Sequence, residues 1–201
     1  MVLPVVLVIV ALSAFMAVGR WYLVRGKIRS LERLKRESDA EIERRLKSIL
    51  DACNGSIVEG PALQTPHGKL ALIASKAPES YLIDTVKFTA PVRGERQLAV
   101  VRVEDVRKVM AKGLKAVIPQ DEDIAQSYAV LGSDTSYGRP FTKPGFIDRL
   151  RRLDEAVKGR CRLMVVRGTA TVLLTRGLSK PEELQAFYDG CVEIVAAVRR
   201  P

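Results

Sequence analysis

Hydrophobic and polar positions change their rhythm several times along the chain. Residues 2–19 are uncharged and mostly apolar, and Trp21, Tyr22, Leu23 and Val24 extend the run past Arg20. A helix over residues 2–24 would cover roughly 33 Å, against a hydrocarbon core of about 30 Å. The pattern therefore predicts a transmembrane helix within residues 1–25. From Ile28 the apolar positions are Ile28, Leu31, Leu34, Ile42, Leu46, Ile49 and Cys53, in steps of three and four with Ser38 in the gap. One narrow stripe of this kind marks an amphipathic stalk helix over 26–53, running to about Ala52 and stopped by Asn54-Gly55. It holds fewer than four clean heptads, so no coiled coil is assigned.

After the stalk the period shortens. Ser56–Glu59, Lys69–Ser75, Tyr81–Thr89 and Gln97–Val103 are runs rich in Val, Ile, Leu, Tyr and Thr, separated by Pro- and Gly-containing turns. They predict strands. In the third run, Leu82, Asp84, Val86 and Phe88 fall on one face and Lys87 and Thr89 on the other, the arrangement of an antiparallel sheet with one wet side. Glu104–Lys112 reads as a brief helix, Tyr128–Leu131 as a strand and Gly132–Thr142 as a polar loop. Thr142 is placed to cap a helix carrying Phe146, Ile147, Leu150, Leu153 and Val157. Arg162–Arg167 and Thr169–Thr175 form a hairpin about Arg167-Gly168. Ser179-Lys180-Pro181-Glu182 opens a last helix as a capping box, with Leu184, Phe187, Tyr188, Cys191, Val195 and Val198 on its dry face. The expected fold is α+β: an anchor, a stalk helix and a mainly antiparallel sheet packed with two to three helices over 54–201. A split into two lobes near 115–126 is a second arrangement.

Charge gives the anchor a direction. Arg20, Arg25, Lys27, Arg29, Arg33, Lys35 and Arg36 follow the apolar run, and no basic side chain precedes it. A cleavable signal peptide would want the reverse order and a small-residue cleavage site, whereas Arg20-Trp21-Tyr22 follows here. Arg20, Trp21, Tyr22, Arg25, Lys27 and Arg29 suit a membrane interface, and the basic flank places the folded part in the cytoplasm. The lipid bilayer is thus the first expected partner. Cys53, Cys161 and Cys191 are an odd number without close spacing, which fits a reducing compartment.

Candidate chemistry is sparse. His67 is the single histidine, in the turn-like Pro66-His67-Gly68. With three scattered cysteines it matches no zinc spacing, and no cofactor is expected. Asp121-Glu122-Asp123 lacks the glycine and terminal glutamate of a calcium loop and reads as solvated charge or a helix N-terminus. Gly132–Arg139 lacks the Lys-Ser/Thr of a phosphate-binding loop. It is the expected binding loop nonetheless, through Ser133, Asp134, Ser136, Tyr137 and Arg139. The net charge of +10 divides evenly, with ten basic and five acidic residues in 1–47 and twenty-three and eighteen in 48–201. Arg149, Arg151, Arg152, Lys158, Arg160 and Arg162 cluster in sequence, but no stacking aromatics alternate with them, which disfavours nucleic acid. The expectation is a non-enzymatic, single-pass membrane protein whose head binds a protein partner or its own copies. A membrane-tethered binder of anionic ligands is the alternative.

Overall fold

The computed structural model describes residues 25, 27–58, 62–74, 83–109, 114–178 and 180–200. The chain divides into two compact units, 1–40 and 41–201. The predicted membrane-spanning segment, with Arg20, Trp21 and Tyr22, lies outside the described residues. Among the described residues no helix is long and apolar enough to cross a membrane. Residues 27–47 are helical (α1) and are followed by turns over 48–54, so the helix stops earlier than Ala52. Asn54 takes a positive φ of 47° where the sequence predicted a stop. Within the first unit, Ile28 is 50% exposed and Leu31 36%. An Arg33–Glu37 pair one turn apart is solvated and adds little stability.

The second unit is built on a single sheet. Its strands are β1 (Ser56–Val58), β2 (Ala62–Gln64), β3 (Lys69–Ala74), β4 (Ile83–Pro91), β5 (Leu98–Arg102), β6 (Lys115–Val117), β7 (Tyr128–Gly132), β8 (Cys161–Val166) and β9 (Thr169–Leu174). They lie in the order β1-β2-β3-β4-β9-β8-β5-β7-β6. Every described pairing is antiparallel. Strands β8 and β9 are joined by Arg167 and Gly168 at φ 49° and 71°, the left-handed pair a tight hairpin needs. Of residues 115–126, Lys115–Val117 belong to this sheet as β6, paired with β7.

Register explains the burial. Leu70, Phe88, Val172, Leu163, Val100 and Val130 follow one another across neighbouring strands and are all buried. The alternate residues of β4, Lys87 and Thr89, are half-buried on the other face. Onto the apolar face pack residues 42–53 and the helices α5 (Pro144–Ala156) and α6 (Pro181–Arg199), in one continuous core. Helix α6 buries the six predicted residues and Ile194. Ala99, Val101 and Leu131 form a smaller cluster on the opposite face, with Val106 and Leu114 against it. The α+β class and the large antiparallel sheet thus match the sequence pattern.

Several local expectations are corrected. Residues 132–142 are not an extended loop: they contain a helical turn, α4 (Thr135–Gly138), and a 3-10 turn over Arg139–Thr142. Thr142 does not cap α5; its hydroxyl donates to the Arg139 carbonyl, and Lys143 is the cap position before Pro144. Helix α6 starts after Lys180 with no side-chain cap, so the capping box is not formed by the described residues; Ser179 lies outside them. The brief helix expected over 104–112 is present as far as the described residues go, opening as a 3-10 turn, Val103–Asp105, that runs into α2 (Val106–Val109); residues 110–113 lie outside them. Strands β2 and β6 were not predicted, nor was α3 (Glu122–Ser127) resolved as a helix of its own.

Candidate interaction site

At one edge of the sheet, β6 pairs with β7 alone among the described strands. Lys115 and Ala116 on this edge are exposed and Val117 is buried, so beyond its pairing with β7 the strand buries one side chain. The next residue, Ile118, is 83% exposed, the most exposed large apolar side chain described. Ala116, Val117, Ile118, Gln120, Thr135, Arg139, Thr142 and Lys143 enclose an open groove of about 640 Å³ there. A smaller hollow of about 380 Å³ continues it past Asp121 and Pro144. An unpaired strand edge offers backbone donors and acceptors to an extended chain, and natural proteins usually shield such edges.

The wall opposite β6 is the segment expected to bind. Ser133 is locked to the preceding loop, its N–H donating to Gln97 O at 2.9 Å and its hydroxyl accepting from Gln97 N at 3.0 Å. Asp134 caps α4, accepting from both the N–H and the hydroxyl of Ser136 at 2.8 Å. Those bonds hold its carboxyl below the usual range, with smaller help from Arg96 and Lys115. Tyr137 is half-buried edge-on to Phe141 at 5.5 Å, with the Arg96 guanidinium 5.4 Å from its ring. Gly138 lies against Val117: a Cβ there would come within 2.5 Å of a Val117 methyl. Of the five predicted residues, Arg139 lines the groove, while Ser133, Asp134, Ser136 and Tyr137 shape the turn that carries it. Ala116, Ile118 and Lys143 were missed. Three strand residues are too few to show a period, and β6 becomes visible only through its pairing with β7.

Basic residues are distributed differently from their order in sequence. Of the cluster over 149–162, Arg151 pairs with Asp148, Arg152 with Glu193, Arg160 with Glu104 and Arg162 with Asp105. Arg149 instead donates to Gly145 O at 2.8 Å, from the second turn of α5. It joins Lys143 and Arg200 around a groove of about 340 Å³ floored by Pro140, Phe141, Phe146 and Ala197. Beside it a hollow of about 360 Å³ is lined by Arg93, Gly94, Arg96, Tyr137, Val198 and Arg199. Arg25, Lys27 and Arg29 are exposed residues of the first unit.

Elsewhere the polar groups are structural. Asp154, 4% exposed, accepts from Arg102 at 2.8 and 3.0 Å, from the Tyr128 hydroxyl at 2.9 Å and from Cys161 N at 2.7 Å. Arg102 also lies over the Tyr128 ring at 4.3 Å. This cluster joins β5, β7, β8 and α5 and opens on none of the grooves above. Cys53, Cys161 and Cys191 are all buried, Cys161 as fully as the two expected to be. His67 is exposed in its turn, its N–H donating to the Thr65 hydroxyl. Asp121 caps α3 through Ile124 N at 3.1 Å, with Glu122 and Asp123 in the first turn, where negative charge is favoured. Among the described residues no His, Cys, Asp and Glu group could hold a metal ion.

These features define an α+β domain with one wholly antiparallel sheet, a helical layer on one face and an open groove at the β6 edge. In fold it is similar to the mycobacterial trehalose monomycolate transport factor A, TtfA, whose crystal structure superposes with a TM-score of 0.53 at 9% identity over 79% of this chain and 94% of that one. At that identity the likeness is one of fold. No protein-family model matches the chain. No curated protein matches it in sequence.

Proposed function

We propose that this chain is a non-enzymatic accessory factor of a membrane transport process. It would be held at the cytoplasmic face by residues 1–24 and bind a segment of a protein partner along β6. The supporting observation is the fold, which matches 94% of the crystallised chain of a protein described as a transport factor. The long apolar run with its basic flank supports the anchoring. The open β6 edge beside Ile118, Arg139 and Lys143 supports partner binding. An extended segment would add a strand, set one apolar side chain against Ile118 and place carboxylates near the two cations.

A photo-crosslinking amino acid at Ile118 of the full chain, in native membranes, tests this. The expected result is one discrete adduct with a membrane protein, lost in an Ala116→Pro variant and not formed from Ser56 at the far edge. Diffuse labelling, or equal labelling from both edges, would refute partner binding at β6.

A further inference from the structure

Arg93, Arg96, Lys143, Arg149, Arg199 and Arg200 come from three separate parts of the chain and meet at one end of the domain. They are the turn after β4, the entry and second turn of α5, and the last turn of α6 with the residue after it. No aspartate or glutamate lines either hollow between them. Among the described residues none of the six is ion-paired, in contrast to Arg151, Arg152, Arg160 and Arg162. Two are tethered by neutral acceptors: Arg199 donates to Pro91 O at 3.0 and 3.1 Å, and Arg149 to Gly145 O. Their charge is therefore fixed in place without being neutralised. Two carboxylates lie close by: Glu95, exposed in the same turn as Arg93 and Arg96, and Asp134, which accepts from Ser136 with both oxygens and feels the Arg96 charge.

Between these cations runs a ridge of rings, with Tyr137 to Phe141 at 5.5 Å and Phe141 to Phe146 at 5.0 Å, each edge-on. Phe141 and Phe146 are buried and Tyr137 is half-buried. The ridge stiffens the surface but offers no exposed ring for stacking a base. Both hollows are open to solvent. A broad, positively charged, stiff surface fits a plane of many phosphates better than a single deep ligand.

We propose that this end of the domain docks on anionic phospholipid headgroups of the bilayer in which the chain is anchored. The inference rests on the anchoring half of the functional reading and not on the β6 partner. Each lysine or arginine near an anionic leaflet strengthens attachment roughly fivefold, over a range of about a Debye length. A tethered domain needs only a few such contacts, because the anchor holds it at high effective concentration.

The test is energy transfer from a dye on the head to an acceptor in the bilayer. Gly145→Cys places the dye at this end, where a Cβ meets nothing within 4 Å, and the native thiols are buried. The full chain is reconstituted in nanodiscs of phosphatidylcholine alone or with about a third phosphatidylglycerol. Transfer should be at least twofold higher in the anionic discs at low salt and fall to the neutral level in 0.5 M salt, as screening requires. An Arg93→Gln, Arg96→Gln, Arg200→Gln variant with an unchanged melting temperature should give the neutral level in both discs. Equal transfer in both disc types, transfer insensitive to salt, or full transfer in the triple variant would overturn the proposal. So would a polyglutamate peptide that binds this end while anionic discs do not.

Retention in discs through a 1 M salt wash reads the anchor separately. If the chain does not stay in discs, the anchor reading fails. Low-salt co-sedimentation with anionic but not neutral vesicles would then still support docking, and its absence would overturn it.

Discussion

Asp154 shows how one side chain fixes three strands and a helix. Both its oxygens are engaged, by Arg102, Tyr128 and the Cys161 backbone, while Arg102 keeps 26% of its side chain in solvent. Asp154→Ala leaves a guanidinium, a hydroxyl and an N–H without their acceptor, and that exposure puts the cost at the low end for a broken buried pair, about 3 kcal/mol. Urea unfolding should show the midpoint falling with an unchanged slope. The thiols supply a pH signature. Burial, helped by the Asp189 charge and opposed by the bond to Gln185, pushes Cys53 from 9.0 up to about 11. Burial raises Cys161 and Cys191 as well. The folded state then holds protons that the unfolded state has lost, so this contribution is intact below pH 9 and disappears as pH rises toward 11. Denaturant midpoints taken from pH 8 to 10.5 should decline, and Cys53→Ala should make the decline shallower.

Between elements, the contact that shapes the groove is α4 against β6. Gly138 sits where any Cβ would meet Val117, whose branched side chain is buried and stiff. Gly138→Ala should push α4 from the strand, lower the melting temperature by several degrees and reduce crosslinking from Ile118 more than from a position on α5. Most long elements were legible in sequence because each carries its own period. Val86 and Phe88 alternate with Lys87 and Thr89, and α6 repeats its apolar residues at helical spacing through Val198. What escaped is short or relational. Lys115–Val117 has no period of its own, and the turn at Asp134 makes its helix with local bonds that a polar loop composition conceals. The basic end escaped for a similar reason. Arg93, Arg149 and Arg200 lie far apart in the chain, whereas four members of the cluster that is visible in sequence, Arg151, Arg152, Arg160 and Arg162, pair with carboxylates.

At the scale of the whole chain, everything proposed depends on which side of the membrane the domain occupies. Seven cations lie within residues 20–36, and the apolar run before Arg20 carries none. Under the proposed anchoring, such an imbalance would put the following domain on the cytoplasmic side, where the leaflet is anionic. The consequence is measurable. Protease added to intact cells should leave residues 41–201 undigested, and inverted membrane vesicles should lose them. Replacing Arg20, Arg25, Lys27 and Arg29 by glutamine removes four of the seven orienting charges, and a fraction of chains should become sensitive in intact cells. Digestion of the unaltered protein from outside would reverse the orientation and leave the basic end facing the wrong leaflet. Protection in both preparations would mean that the domain is shielded by something other than the bilayer. Only sensitivity confined to inverted vesicles, weakened by the four substitutions, agrees with a domain whose binding edge and basic end both work at the inner surface.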